Sequence, residues 1–361
     1  MKVTKFPIKS DALLALYPAG VLYYTAFFGI FSTEILKAPY NSGMVNTLLI
    51  YNPAAGRFSV RLFIGGIVRV LNEAGWSVEV AETINIRHAT QLARQAATEK
   101  FSAVFAIGGD GTVGQVAAGL IGSQTALGVL PAGTSNVWAR EIGLNAFTWN
   151  HLRAFRENAQ ILAHAPSYTV DLGLCNDQPF LMWAGIGLDA LTVHKLEPRK
   201  RFEKYLAVPH YAATTIWNAM LWHGMNLRVW ADDKRVEGHY LLAVASNIRH
   251  YLGGLAEISP QAYLDDGEMD LWLLSGDSLA DAFRHFFAIT AGRHVTSDQA
   301  RCLPFRNARI ESETPFSLQM DGEPMLGGQQ VTIAVAPQAL RVLMPPQAAE
   351  RLCGHKATEF R

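Results

Sequence analysis

From Val45 onward the chain alternates short apolar runs with amphipathic stretches. Val45–Tyr51 has the length and composition of a buried strand and stops at Asn52-Pro53-Ala54-Ala55-Gly56. The next stretch sets Leu62, Ile67, Val70 and Leu71 on one helical face. Trp76–Val80 predicts a second strand and His88–Glu99 a second helix. Ala103–Ile107 predicts a third strand, ending in Gly108-Gly109-Asp110-Gly111-Thr112, with a helix over Gln115–Ile121. Ala126–Leu130 predicts a fourth, ending in Pro131-Ala132-Gly133-Thr134-Ser135-Asn136, with a helix over Val137–Ile142. Strand, small-residue turn and helix in repetition predict an α/β domain, a parallel sheet with helices on both faces.

After about Ser167 the rhythm changes. Ser167–Cys175, Phe180–Trp183, Leu227–Ala231, Tyr240–Ser246, Met269–Leu274, Arg306–Glu311, Phe316–Gln319 and Val331–Ala336 read as strands. Few helices intervene, only Phe202–Trp222 and Leu279–Gly292, so this half is expected to be mainly antiparallel β. The domain division expected is an apolar extension over 1–44, an α/β domain over 45–166, a β-rich domain over 167–345 and a short polar tail over 346–361.

The extension matters because Ala12–Thr33 carries no charged side chain. It is long enough to cross a bilayer core of roughly 30 Å. Four readings stand side by side: a transmembrane span, a signal peptide, an interfacial or core-packed segment broken near Pro18 and Gly20, and synthesis that starts at Met44. Composition narrows the function classes. Half of the 361 residues are hydrophobic and 17% are charged, which fits a globular chain with a large core. The 31 basic residues balance the 31 acidic ones, which argues against a nucleic-acid partner. Cys175, Cys302 and Cys353 are far apart and in no metal-ligand spacing, which fits a reducing compartment.

The three turns carry the candidate chemistry. In an open parallel sheet ligands bind outside the carboxyl ends of the strands, so 52–56, 108–112 and 131–136 are expected on one rim. Glycine lets backbone approach a phosphate, and helix N-termini point N–H groups at it. Asp110, between Gly109 and Gly111, would repel phosphate oxygens unless a cation lay between, which points to Mg²⁺. Thr112 and Thr134 serve either phosphate contact or helix capping, and Asn136 either fixes its turn or touches a base. No Walker P-loop, protein-kinase signature or G-x-G-x-x-G fingerprint is present.

Taken together, Asn52-Pro53-x-x-Gly56, Gly108-Gly109-Asp110-Gly111-Thr112 and Pro131-x-Gly133-Thr134-x-Asn136 resemble the diacylglycerol/sphingosine kinase superfamily, in its bacterial diacylglycerol kinase-like branch. Three later elements extend the likeness: Ala184-Gly185-Ile186-Gly187-Leu188-Asp189, Ser259-Pro260-x-Ala262-x-x-x-Asp266-Gly267 and Asp321-Gly322-Glu323. The resemblance implies an ATP site lined by Asn52, Pro53, Gly56, Thr83, Gly108, Gly109, Asp110, Gly111, Thr112, Gly133, Thr134 and Asn136. It implies a structural Mg²⁺ held by the Asp266 side chain and the carbonyls of Tyr263 and Glu268. It implies Glu323 as proton acceptor for a substrate hydroxyl, with Asp321 beside it and Asp110 organising Mg²⁺ and phosphate. The family often has Asn and Glu where Gly114 and Gln115 stand, and many members have Asp in place of Val137.

The activity implied is transfer of the ATP γ-phosphoryl group to diacylglycerol or a similar lipid alcohol, by a cytoplasmic protein peripheral on the inner membrane face. The resemblance leaves room for a homodimer. Arg199, Lys200, Arg201 and Lys204 precede the apolar stretch Tyr205–Trp222, a basic cluster suited to anionic lipid, and Trp217, Trp222 and Trp230 suit an interface. Two alternatives remain: an NAD kinase-like enzyme, which shares the Gly-Gly-Asp-Gly-Thr turn, and a nucleotide or lipid sensor without turnover.

Overall fold

A computed structural model describes residues 45–56, 59–85, 87–148, 150–196 and 222–354. The first half runs β1 (Val45–Tyr51), α1 (Arg61–Glu73), β2 (Trp76–Glu82), α2 (His88–Thr98), β3 (Ala103–Gly108), α3 (Asp110–Leu120), β4 (Ala126–Pro131), α4 (Val137–Glu141) and α5 (Ala154–Ala163). Strands β2-β1-β3-β4 lie side by side and pair in parallel. Every residue of β3 and β4 is buried, as is the run Leu48 to Tyr51 in β1. Consecutive buried residues mean that both faces of these strands are covered, as parallel sheets require. Helix α1 packs against α5, and α2 against α3.

The second half contains β5 (Ser167–Cys175), β6 (Gln178–Phe180), β7 (Trp183–Gly187), α6 (Leu188–Leu196), β8 (Met225–Ala231) and β9 (Lys234–Ser246). It continues with β10 (His250–Tyr251), β11 (Ala256–Glu257), β12 (Met269–Ser275), α7 (Leu279–Thr290), β13 (Ala300–Phe305), β14 (Asn307–Met320), β15 (Glu323–Leu343) and α8 (Pro346–Leu352). Its pairings are antiparallel, with β7 between β9 and β14. A second apolar core lies here, around Leu271, Phe305 and Ile310.

The two halves are joined through β15. Its last residues pair in parallel with β4, Arg341 opposite Ala126 and Val342 opposite Leu127. Leu340, Val342 and Leu343 thereby enter the core of the first half, and Ala348, Ala349 and Leu352 of α8 follow. Residues 346–352, expected as a polar tail, are therefore a packed helix.

Other elements differ from expectation. The third helix starts at Asp110, inside the Gly-rich turn, instead of at Gln115. Phe180–Trp183 is the junction of two strands, and Arg306–Glu311 with Phe316–Gln319 is one strand bent by register shifts. Helices α5 and α6 and the edge strand β13 were not anticipated. The apolar extension, the basic cluster at 199–204, Trp217 and the tail beyond 354 lie outside the described residues. Among the described residues no helix is long and apolar enough to cross a membrane.

Candidate active site

The strand register brings the three turns together. Tyr51 lies opposite Ile107, Ile107 opposite Leu130, and Gly108 opposite Pro131, so β1, β3 and β4 end within a residue of one another. In the first turn the Asn52 N–H donates to the Ile107 carbonyl at 3.1 Å, and its Oδ1 accepts from the Ala54 N–H at 2.8 Å. Gly56 closes that turn at φ +65°, and a Cβ there would sit 1.9 Å from the Ala132 carbonyl oxygen. Glycine is required twice over, by its dihedral angle and by contact with the third turn. Thr83 follows β2 and is buried, its N–H bonded to the Tyr51 carbonyl at 2.9 Å.

The second and third turns touch backbone to backbone. A Cβ on Gly133 would fall 2.5 Å from the Gly109 Cα. Thr112 packs its side chain over Gly108, and Asn52 Nδ2 donates to its hydroxyl at 3.5 Å. Asn136 is buried with φ +49°; its Oδ1 accepts from Gly133 N–H at 2.8 Å and its Nδ2 donates to the Gly133 carbonyl at 2.9 Å. Both polar atoms are thus used to fix the turn. Thr134 stands exposed at the tip, and Pro53 is half-buried in the first turn.

Asp110 opens α3, and its Oδ1 accepts from the Trp138 N–H of α4 at 3.3 Å. Burial lifts its carboxyl above the usual range, and the amides of Val137, Trp138 and Asn136 oppose that rise. Its carboxylate therefore ties the second turn to the third.

The opposite wall is the β14–β15 hairpin. Met320 pairs with Glu323, leaving Asp321 and Gly322 as a two-residue loop at φ +49° and +81°. Asp-Gly is the usual sequence for such a turn. The two acids have different partners. Asp321 accepts from the N–H groups of Leu181, Met182 and Trp183 at 2.8, 2.8 and 3.2 Å. Burial pushes its carboxyl up to about 6, against the pull of those three amides and with a further upward push from Asp110. Glu323 reaches the first turn of α3: a Cβ on Gly111 would meet its Oε1 at 2.6 Å. Asp321 and Glu323 thus both face α3, Asp321 beside Gly114 and Glu323 beside Gly111. The Asp321 carboxylate is held by backbone amides of its own half, and Glu323 extends over the first turn of the helix.

Sequence reasoning missed Gln319. It is fully buried, accepts from the Gly322 N–H at 2.9 Å and donates to Asp189 at 2.7 Å, so it braces the same hairpin. A glutamine amid Phe316, Leu318 and Met320, just before an Asp-Gly turn, was the available signal. Trp230 is half-buried and lies under Arg309 at 4.2 Å and Arg235 at 5.4 Å. Trp222 donates its indole N–H to the Leu241 carbonyl at 2.8 Å.

The expected cation ligands gather elsewhere. Tyr263, Asp266 and Glu268 line one cavity of about 310 Å³ with Asp270 and Asn247. Asp266 Oδ1 accepts from the Glu268 N–H at 3.1 Å, and the Glu268 side chain meets Arg306 at 3.2 Å. Burial raises the Asp266 carboxyl, and the nearby charges of Glu268 and Asp265 raise it further. Asn247 is buried with its Oδ1 lacking a hydrogen-bond partner. An orphaned acceptor beside crowded carboxylates is a donor set that fits a hard cation. Among the described residues no three acidic, His or Cys side chains converge, so such a cation would draw its other ligands from carbonyls and water.

Comparison with known proteins shows the family. Residues 46–173 match the diacylglycerol kinase catalytic domain, and 184–344 match the YegS C-terminal NAD kinase beta sandwich-like domain. A diacylglycerol kinase of Bacillus subtilis is 26% identical over 313 residues, spanning 86% of this chain and 99% of its own. A probable YegS-like lipid kinase of Chromohalobacter salexigens is 29% identical over 319 residues, spanning 84% and 94%. The crystal structure of a putative diacylglycerol kinase from Bacillus anthracis superposes with a TM-score of 0.70 at 23% identity, over 85% of this chain and 99% of that one. With both domain models matched in order, the chain belongs to the bacterial diacylglycerol kinase-like family of lipid kinases.

Proposed function

We propose that the protein transfers the γ-phosphoryl group of ATP to a hydroxyl of diacylglycerol or a closely related lipid alcohol. The observation that carries this reading is Glu323 lying over the first turn of α3, directly above Gly111. That is where a phosphate held by helix N-terminal amides and a carboxylate base would have to meet. Backbone at 52–56, 108–112 and 131–136 forms the phosphate cradle. Glu323 takes the hydroxyl proton as the new O–P bond forms, since an alcohol is a poor nucleophile at neutral pH. Asp321 is a positioning group: it anchors the hairpin to Leu181, Met182 and Trp183 and so fixes where Glu323 reaches. Asp110 locks the third turn onto the second. A magnesium ion accompanying ATP would supply charge neutralisation between the phosphates. Asp266, with the carbonyls of Tyr263 and Glu268, would hold a second, structural one. The need for ATP puts the work on the cytoplasmic face of a membrane.

Labelled ATP offered with diacylglycerol, with sphingosine and with NAD tests the reading. A labelled product is expected from diacylglycerol in mixed micelles, and Glu323→Gln should lower kcat about 10²- to 10⁴-fold. Full turnover in that variant removes the base assignment. Label appearing only in NAD replaces the lipid with a nucleotide acceptor.

A further inference from the structure

The β-rich half exposes large apolar side chains that the proposed reaction does not use. Phe287 is 64% exposed and Phe283 and Phe286 are each 40% exposed on α7 (Leu279–Thr290). Their rings touch one another, Phe286–Phe287 at 5.5 Å and Phe283–Phe287 at 6.5 Å between centroids. The helix is otherwise well built, with a capping box between Ser278 and Asp281 and with Ile289 and His285 buried beneath it. The aromatic side is therefore a formed surface, not a frayed end. Its neighbours extend it. Helix α7 packs against β11 (Ala256–Glu257) and against the short turn His294–Thr296. Leu255, 69% exposed, immediately precedes the first of these segments, and Val295, 47% exposed, lies in the second. Clustered apolar exposure of this kind marks a contact surface.

Two relations identify what the surface meets. The first is continuity with the phosphate cradle. Gly253 lies against the third turn, where an added Cβ would be 3.6 Å from Ser135 Oγ, and Leu255 follows two residues later. The second is charge. Exposed Arg140 runs its stem along Gly254, 2.9 Å from an added Cβ there, and exposed Arg293 lines the groove that ends at Phe287. Asp281 is occupied by the cap and by Arg284. Phenylalanine rings flanked by arginines, beside a site for a membrane-resident alcohol, match the boundary between headgroups and acyl chains.

We infer that the face made by α7, Leu255 and Val295 docks on a bilayer containing anionic phospholipid, bringing the cradle to the membrane that holds the acceptor. The choice of a bilayer rests on the lipid-kinase reading above. The test uses the full chain and vesicles of phosphatidylcholine and phosphatidylglycerol, with binding read by co-sedimentation in the absence of ATP. The double variant Leu255→Ser, Phe287→Ser should bind at least about tenfold more weakly. Its turnover on a water-soluble short-chain diacylglycerol should stay at the wild-type level, since both side chains are mostly exposed and neither belongs to the phosphate cradle. Arg293→Gln should weaken binding to vesicles with phosphatidylglycerol and leave binding to pure phosphatidylcholine unchanged. Equal vesicle binding by the double variant and the wild type overturns the inference, as does a wild type that binds no vesicle. A wild-type dimer in lipid-free buffer that the double variant dissolves assigns the face to a second copy instead. Loss of docking in a protein that phosphorylates no lipid removes the lipid-kinase reading and keeps the docking face.

Discussion

Replacing Gly111 by alanine would place a methyl carbon 2.6 Å from Glu323 Oε1. Carbon and oxygen settle near 3.5 Å, so the two must separate by about 0.9 Å. Gly111 is helical and sits in α3 without a positive φ, so alanine strains nothing in the backbone. The mobile partner is the tip of a glutamate side chain, which can swing away. Moving it off its rotamer costs about 0.5–1.5 kcal/mol. Alanine for glycine in a helix returns up to about 1 kcal/mol. Stability should therefore change by less than about 1 kcal/mol. Chemistry is less forgiving, because a misplacement of about 1 Å at a reacting group costs on the order of 10²-fold in rate. That fall in kcat corresponds to about 2.7 kcal/mol of lost transition-state stabilisation. Thermal unfolding alongside initial rates with labelled ATP and diacylglycerol separates the two effects. The expected result is an unchanged Tm with kcat about a hundredfold lower and the KM for ATP preserved. A Gly111→Ala enzyme with wild-type kcat would falsify the placement of the base. Gly114→Ala is the internal contrast. Its Cβ would lie 3.0 Å from Asp321 Oδ2, but three backbone amides hold that carboxylate, so the strain should appear as lost stability.

Three further outcomes follow from named contacts. Gly56→Ala meets both a φ of +65° and the Ala132 carbonyl at 1.9 Å. It should cost at least about 2 kcal/mol in urea unfolding and raise the KM for ATP; a change within error would show that the first and third turns need no contact. For Asp321, burial holds the folded carboxyl at about 6, above the ordinary value near ~4. Its contribution favours the fold below about pH 4 and is lost as pH rises through 6, so the urea midpoint of wild type minus that of Asp321→Asn should shrink over that interval. A widening gap contradicts the assignment. A chelator should lower the unfolding midpoint of wild type kept in Mg²⁺, by about 2.7 kcal/mol where the ion stood at a hundredfold its Kd. Asp266→Asn should be insensitive, and equal sensitivity places the ion elsewhere.

Strands β1, β3 and β4 and all three turns were legible because these strands are buried on both faces over most of their length and each turn must be small. Continuous apolar runs and glycine clusters are the direct imprint of those demands. The start of α3 was not legible. Gly109, Gly111 and Gly114 lower helix propensity, so the stretch reads as loop, while the requirement for close approach to Gly133 and Glu323 outweighs propensity. The length of β15 was hidden as well. Pro337 and Gln338, the latter at φ +49°, read as a turn between Ala336 and Leu340, yet β5 pairs on both sides of that irregularity. In α5 the pattern Phe155, Ala159, Leu162 was present and passed over. For the site, Asp110 was legible from its place between two glycines, and Glu323 from a resemblance. That one ties two turns together while the other crosses between domains depends on long-range packing, which leaves no local mark.

Gly114 and Gln115, where the resemblance implies Asn and Glu, take on a physical meaning in this arrangement. Gly111 and Gly114 are three apart on α3 and so share a face, and that face meets the two acids of the hairpin. An asparagine at 114 would start from a Cβ already 3.0 Å from Asp321 Oδ2, and its amide would extend into the space the carboxylate occupies. With glycine there, Asp321 takes its hydrogen bonds from Leu181, Met182 and Trp183, while Gln319 holds Gly322 from within β14. Gln115 is tied through its backbone, its carbonyl accepting from Thr90 at 2.9 Å. The proposed base, Glu323, is thus positioned by the β-rich half, and α3 supplies clearance where a larger residue at 114 would supply a side-chain partner. Loosening the 181–183 backbone or Gln319 should therefore move the base without altering the nucleotide turns. Opening Gly56 against Ala132 should weaken the nucleotide without moving the base. Such separability is what a site divided between two domains, joined through one long strand, would be expected to have.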